Sequence, residues 1–205
     1  MTVAQRPDPA LNIKDVLTQW LPQQFAAKGR TLPPDCPKLR VTVREKTSHV
    51  DLLFVASENE LTVQEEFDEP DADFWVRLSA ADFHTLLHGD PDLPALVPPE
   101  KDLIDLMVVD ASDLDRFKQL AGRLAVEIIG KKRRRFSLDV AFGDVGFKAG
   151  RPKSTVTIDG PALEGLMNGT KAPLQALLEG RIKVEGDRAL AMQAMLLAVA
   201  RTRSR

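Results

Sequence analysis

The chain has 205 residues, enough for one large domain or two small ones with a buried core. Hydrophobic residues make up 43% and charged residues 28%, which is typical of a globular protein, and no apolar run is long enough to span a bilayer. One cysteine, Cys36, excludes an internal disulfide and a cysteine-based zinc site. Because MTVAQRPDPA also lacks the apolar core of a signal peptide, we expect a cytoplasmic protein.

The net charge of −2 conceals two halves of opposite charge. Residues 1–110 contain 10 Lys and Arg against 20 Asp and Glu, whereas residues 111–205 contain 18 against 10. Such an asymmetry indicates either that the two halves attract each other or that the basic half seeks an anionic surface.

In the acidic half, we expect residues 1–10 to be disordered and a helix to follow. That helix is predicted to begin at the N-cap Asn12 and to be kinked or ended by Pro22. Alternating apolar residues predict strands in LRVTV, HVDLLFVAS, ELTVQEEF and DFWVRLS, with a turn at Glu58 and Asn59. A short helix, AADFHTLLHG, ends at Gly89, and a proline-rich loop leads to a predicted strand in LIDLMVV.

In the basic half, residues 114–129 (LDRFKQLAGRLAVEII) are predicted to form one amphipathic helix. A basic run precedes a half-buried strand, whose apolar residues are Phe136, Leu138, Val140 and Phe142. We then expect strands in VGFKA and STVTI, short helices in PALEGLMNG and APLQALLEG, a strand in RIKVE, and a final helix capped by Asp187.

The order of these elements recurs at an offset of 80 residues. VRLSAADFHTLLHG (76–89) aligns with VTIDGPALEGLMNG (156–169), with three of fourteen positions identical. Each copy is followed by a proline-containing link, an alternating strand, an Asp-capped turn and an amphipathic helix. This shared order favours a structural duplication over two unrelated β-α-β-α stretches.

The stretch STVTIDGPALEGLMNGTKAPLQALLEGRIKVEGDRALAMQAM resembles the C-terminal half of the sterol carrier protein type-two (SCP-2-like) lipid-transfer domain. The shared features are a strand ending in Asp159, a short helix with Leu163 and Leu166, a second short helix ending at Gly180, and GRIKVEGD before a closing helix. Residues 180–192 are the most specific part of the resemblance.

The resemblance implies an α+β fold in which a twisted, mostly antiparallel sheet is covered on one face by helices, here duplicated in tandem. After a disordered N-terminus (1–10), a first, acidic unit would span 11–128. A second, basic unit would span 129–205 and be completed by the helix at 114–129. The first copy departs from the family pattern, because it has PPEKDLIDLMVV where GRIKVEG is expected.

For function, the resemblance implies non-enzymatic binding or transfer of a hydrophobic ligand in an apolar tunnel, without a cofactor. The ligand would be a fatty acid, acyl-CoA, sterol-like or quinone-type lipid. The residues expected to contact it are Phe136, Leu138, Val140, Phe142, Leu166, Met167, Leu178, Met192 and Met195. The alternative is a scaffold or protein-interaction module with filled cavities, for example an accessory factor for lipid or quinone metabolism, and a homo-oligomer is compatible with either interpretation.

The final helix leaves the same two interpretations open. It is apolar on more than one side, so it is buried on more than one side, lines a cavity or meets a partner. Its methionines suit an irregular ligand and equally an irregular core.

Candidates for catalysis or metal binding are weak. His84 and His88 are spaced as two ligands on one helix face, but Phe83 and Leu86 mark the buried side, so exposed histidines are the favoured interpretation. Cys36 lies in a proline-rich loop and is interpreted as a bystander thiol. Since the sequence contains no phosphate-binding loop, nucleophile elbow or zinc motif, we expect neither catalysis nor a metal.

The basic run GKKRRRF (130–136) is the strongest concentration of charge, with the cations Lys131, Lys132, Arg133, Arg134 and Arg135. A stretch that faces solvent or the acidic half is the favoured interpretation, and contact with an anionic membrane surface is the next. The absence of tyrosine and the 5% aromatic content argue against nucleic acid, whose bases stack on aromatic rings.

Overall fold

A computed structural model describes residues 6–29, 36–57, 60–67, 72–97, 103–104, 111–143 and 152–203. Alternating apolar residues form its strands, which are β1 (Leu39–Arg44), β2 (His49–Ala56), β3 (Leu61–Gln64), β4 (Phe74–Ser79), β5 (Gly122–Ile129), β6 (Arg135–Phe142), β7 (Ser154–Asp159) and β8 (Ile182–Gly186).

Helices precede and connect these strands. They are α1 (Ile13–Asp15), a π-helical segment (Val16–Trp20), α2 (Leu21–Lys28), α3 (Ala80–His88), α4 (Ala111–Lys118), α5 (Gly160–Met167), α6 (Pro173–Leu178) and α7 (Arg188–Arg203). Among the described residues, no helix has both the length and the apolar character needed to cross a membrane.

The strands form a single sheet in the order β3-β2-β1-β4-β6-β5-β7-β8. The pairs β1 with β4 and β5 with β7 are parallel, and the other five pairs are antiparallel. Other strands lie between the members of each parallel pair along the chain, β2 and β3 between β1 and β4, and β6 between β5 and β7. The structure thus confirms the predicted α+β fold with a mostly antiparallel sheet.

The two faces of the sheet differ in chemistry because side chains alternate along each strand. One face is apolar, and the helices pack on it in two main clusters, one in each half of the chain. The other face carries mostly polar and charged side chains, among them Arg40, Asp51, Arg77, Arg123 and Asp139. We call these the helix-covered face and the polar face.

The two halves share a strand arrangement. In each half, a two-stranded hairpin is followed by a strand that lies parallel to the first strand of that hairpin. The paired positions correspond only approximately: Ser154, opposite Leu124, follows Phe74, opposite Leu39, by 80 residues, whereas Leu124 follows Leu39 by 85. This common order is the part of the predicted duplication that the structure shows.

The helices that follow the parallel strands begin alike. The Ser79 hydroxyl accepts a hydrogen bond from the Asp82 amide at 3.0 Å, and the Asp159 carboxylate accepts one from the Ala162 amide at 2.8 Å. Such N-caps satisfy a backbone donor that has no partner within the helix. The short helices predicted at these two positions are therefore confirmed.

The helix predicted over residues 114–129 is wrong. The chain forms α4 only as far as Lys118 and then the strand β5 from Gly122 to Ile129, which lies between β6 and β7. The side chains of Leu124, Val126 and Ile128 point to the helix-covered face. The sequence LAVEII satisfies the two-residue period of a strand as well, and its β-branched residues pack well in a sheet. Because β5 pairs with β6, the second half contains a hairpin that the predicted helix would have excluded.

Other predictions need smaller corrections. The N-terminal helix begins at the predicted cap, because Asn12 Oδ1 accepts from the Asp15 amide at 2.8 Å, and of the two outcomes predicted at Pro22, a kink or an end, the end does not occur. The π-helical turn just before Pro22 takes up the change in geometry, and the helix continues to Lys28. Leu103 and Ile104, expected in a strand, are helical. Residues 1–5, the turn at 58–59, the rest of LIDLMVV and the strand VGFKA lie outside the described residues.

Candidate functional site

The expected ligand-contact residues of β6 occupy one face of the sheet. Phe136, Leu138, Val140 and Phe142 alternate with residues of the polar face, such as Asp139, so all four point toward the helices. This placement follows directly from the predicted alternation.

Two capped helices cover this part of the sheet. Asp159 caps α5, and Asp187 caps α7 by accepting from the Leu190 amide at 3.1 Å. The caps fix where α5 begins after β7 and where α7 begins after β8. In this arrangement Leu166 of α5 and Met195 of α7 pack against the sheet.

Six of the nine expected contact residues meet in one cluster. Four of them are buried and two are partly buried; they are Val140, Phe142, Leu166 and Met195, then Leu138 and Met192. Phe136 belongs to a neighbouring cluster, with Leu138 packed against both. The structure therefore brings seven of the expected residues together on the helix-covered face.

Met167 and Leu178 lie apart from this group. Met167 is half-buried at the end of α5. Leu178 is 80% exposed at the end of α6, although the neighbouring Ala176 is fully buried. The structure does not place the Leu178 side chain among the other expected contacts.

Two aromatic residues that sequence reasoning missed complete the cluster. Phe74 of β4 stacks on Phe142, with ring centroids 5.3 Å apart, and meets Phe117 of α4 edge to face at 5.2 Å. The alternation in DFWVRLS places Phe74 on the same face as Leu78, but only the adjacency of β4 and β6 brings it to the second half.

A small pocket lies in the first half, where no contact residue was predicted. Its volume is about 10 Å³, room for about one water molecule. Its lining is almost entirely apolar and consists of Phe25, Cys36, Pro37, Leu39, Phe54, Ala56, Leu61 and Ile104. None of the nine expected contact residues lines it.

The basic run forms the tip of the β5–β6 hairpin and contacts the acidic half. Arg134 Nε lies 2.8 Å from Asp90 Oδ2, and Lys132 Nζ lies 3.2 Å from an oxygen of Asp92. The hydrogen bond from Arg134 lowers the pKa of the Asp90 carboxyl, and the Asp92 amide adds to that effect. For these two cations, contact with the acidic half is confirmed.

The polar face holds an ion-pair network at the junction of the halves. Asp139 accepts hydrogen bonds from Arg77 Nη2 at 2.5 Å and from Arg123 Nη2 at 3.0 Å. Burial raises the pKa of the Asp139 carboxyl, but these hydrogen bonds outweigh burial and hold the pKa below its ordinary value. A carboxylate kept ionised between two guanidinium groups is suited to joining strands rather than to exchanging protons.

The polar face also holds a stacked arginine. The guanidinium of Arg40 lies 3.7 Å from the centre of the Trp75 ring and pairs with Asp51. Each charged group here has a structural partner.

The two histidines lie on α3 as expected. His84 is exposed and His88 half-buried, with ring centroids 4.5 Å apart. Burial lowers the pKa of His88, and the neighbouring His84 lowers it further. Across the residues that the structure describes, no group of three or more His, Cys, Asp or Glu side chains could hold a metal ion.

Comparison with known proteins identifies the relatives of the second half. Residues 101–198 match the model of the SCP-2 sterol transfer family, which confirms the predicted resemblance. No curated protein is significantly similar to the chain.

Among solved structures, the sterol carrier protein domain 2 of Helicoverpa armigera is 22% identical, with a TM-score of 0.34 over 46% of this chain and 83% of its own. Sterol carrier protein 2 from Yarrowia lipolytica, in its apo form, is 16% identical, with a TM-score of 0.33 over 46% of this chain and 79% of its own. UbiJ-SCP2, a ubiquinone synthesis protein, is 20% identical, with a TM-score of 0.33 over 45% of this chain and 82% of its own.

Proposed function

We propose that the protein binds or transfers a hydrophobic ligand, because residues 101–198 match the model of the SCP-2 sterol transfer family. The ligand class is a fatty acid, acyl-CoA, sterol-like or quinone-type lipid. The family match over the second half is the observation that carries the proposal. We further propose that the protein acts in the cytoplasm as a carrier, without chemistry of its own.

The arrangement of the second half supports this function. Six of the nine expected contact residues lie together between the sheet and helices α5 and α7, where an elongated apolar molecule would be shielded from water. Binding would be driven by the apolar area removed from water, as in other ligand pockets.

The ligand would enter by separating helix α7 from the sheet. Met195 is 7% exposed and Leu166 3% exposed, so these side chains fill the space between the layers. Methionine has three rotatable bonds and adapts to a new neighbour at low cost, which suits Met192 and Met195 to a surface that closes again when the ligand leaves.

A fluorescent fatty acid titrated into the full chain tests the proposal. Replacing the half-buried Met192 with Gln keeps side-chain length and helix propensity but introduces a polar group at the rim of the cluster. We expect Met192→Gln to weaken binding several-fold. Leu196→Gln, at a 55% exposed site on the same helix, is the matched control and should leave affinity unchanged. Equal affinity for both variants would contradict a site beside Met192.

The second candidate function is a protein-interaction module. The observation that favours it is the close packing of the cluster, together with a described pocket of only about 10 Å³ in the other half. A chain that binds no fatty acid but forms a stable oligomer in light scattering would support this function over lipid binding.

A further inference from the structure

One end of the sheet combines exposed cations with exposed leucines. At this end, Ile129 of β5 pairs with Arg135 of β6 on one side and with Asp159 of β7 on the other. The Asp159 amide then donates to the carbonyl of Arg181, just before β8. The basic hairpin tip and the connection from α6 to β8 therefore lie at the same end, about two strand spacings or 10 Å apart.

The cations at this end are accessible. The side chains of Lys132, Arg135 and Arg181 are 82%, 59% and 51% exposed, and their ion pairs with Asp92, Glu127 and Asp159 are of the weak, solvent-screened kind. Lys131 and Arg133 are exposed and form no ion pair with any residue that the structure describes.

These five cations and three acids leave a net positive charge. Arg134 is not counted, because it is held by Asp90 and Thr85.

The backbone conformation at the hairpin tip disfavours the two basic residues that are found there. Lys132 and Arg133 have positive φ angles of 49° and 62°, and the Arg134 amide donates to the Lys131 carbonyl at 2.8 Å. Two successive positive φ angles are the pattern of a type I′ turn, where Asn-Gly is strongly favoured and other residues are strained. Asn-Gly at these two positions would make the turn more stable. The stability of the fold therefore does not account for Lys132 and Arg133, which indicates that their side chains serve another function.

The leucines belong to α6. Leu174 is 59% exposed and Leu178 80% exposed, and their i, i+4 spacing places them on one side of the helix. Pro173 and Ala176, on the other side, are buried. Exposed apolar side chains beside exposed cations are the combination with which peripheral proteins hold a bilayer surface.

We propose that this end of the sheet docks on membranes of anionic lipids. Leu174 and Leu178 enter the boundary between headgroups and acyl chains, while Lys131, Lys132, Arg133 and Arg135 contact the anionic headgroups. Nucleic acid would be attracted by the cations but would make no use of the leucines. The docking does not depend on the internal ligand, so the two proposals can fail separately.

Flotation of the full chain with vesicles tests the docking. Vesicles of phosphatidylcholine alone are compared with vesicles that also contain about 30% phosphatidylserine, and binding is expected only to the latter and to weaken with salt. The double variant Lys132→Asn/Arg133→Gly installs the preferred turn sequence, so it should be at least as stable as the wild type. Its affinity for anionic vesicles should nevertheless fall roughly thirty-fold, about five-fold for each charge.

The apolar contribution is tested by Leu174→Gln/Leu178→Gln, which should weaken vesicle binding at least roughly ten-fold. Matched controls lie in the acidic half: Lys46→Asn in the β1–β2 hairpin at the same end of the sheet, and Leu11→Gln at a 41% exposed site. Both controls should stay within about two-fold of the wild type, since single exposed positions outside the patch contribute little.

Equal binding to both kinds of vesicle, or wild-type binding by either double variant, would overturn the proposal. It would also be overturned if the same residues were needed for binding DNA or a second copy of the chain while vesicles were not bound. Loss of vesicle binding with retained fatty acid binding in the double variants is the expected pattern, and it separates docking from the internal site.

Discussion

Arg77 of β4 and Asp139 of β6 form an ion pair, 2.5 Å between Nη2 and Oδ2, that joins the two halves of the chain across the middle of the sheet. Arg123 of β5 contacts the same carboxylate oxygen at 3.0 Å. The side chains of the three residues are 12–21% exposed, so solvent screens the pairs only in part. The halves are therefore linked by side chains as well as by the β4–β6 ladder.

Replacing Asp139 with Asn should destabilise the protein by about 2 kcal/mol, because two partly buried guanidinium groups would lose their counter-charge. Urea unfolding of both chains measures the change. The transition should remain single, since the sheet runs without a break through both halves. A variant as stable as the wild type would show that the network contributes nothing to the junction.

The same network predicts a sensitivity to acid. The pKa of Asp139 is lowered in the folded state, and so is that of Asp51, where burial raises the pKa but hydrogen bonds from Arg40 and Thr42 lower it more. Their stabilising contribution is present above the unfolded pKa, near 4, and is lost as the pH falls through the folded values. The stability difference between wild type and Asp139→Asn should therefore narrow below about pH 4. A constant difference from pH 7 to pH 3 would contradict this account.

Gly122→Ala tests the strand that replaces the predicted helix. Within a helix, this change would stabilise by about 1 kcal/mol. In the strand, Gly122 has a φ of 141°, and an added Cβ would lie 2.8 Å from Leu190 Cδ2, so we expect a loss of about 1–3 kcal/mol. The sign of the change in unfolding free energy, measured by urea unfolding, decides between a helix and a strand at this position.

The two glycines that flank RIKVE should differ sharply in their tolerance of Ala. Gly180 and Gly186 both have positive φ, at 70° and 91°. An added Cβ meets nothing within 4 Å at Gly180, but at Gly186 it would lie 2.0 Å from the Lys153 carbonyl oxygen. We expect Gly180→Ala to cost about 1 kcal/mol and Gly186→Ala at least about 3 kcal/mol in thermal or urea unfolding. Equal losses would be inconsistent with the close approach of β7 to Gly186.

Local signals predicted most of the fold, because alternation and helix caps act within a few residues. Ser79, Asp159 and Asp187 cap the helices that the sequence places after them. Residues 122–129 were wrongly predicted to be helical because Leu124 and Ile128 also fit a helical spacing. Only pairing with β6 and β7 selects the strand.

Long-range features could not be predicted in the same way. The apolar face of β6 followed from alternation, but the contribution of Phe74 depends on β4 lying next to β6. The exposure of Leu178 was missed because a leucine in a short apolar helix gives no local sign of which side is covered.

Native mass spectrometry of the full chain, purified gently and followed by lipid extraction, tests the central claim most directly. We predict a population heavier than the bare chain, whose added mass is released by organic solvent and identified as a lipid. A chain that carries no lipid as purified and also fails to take up a fluorescent fatty acid would contradict the proposed function.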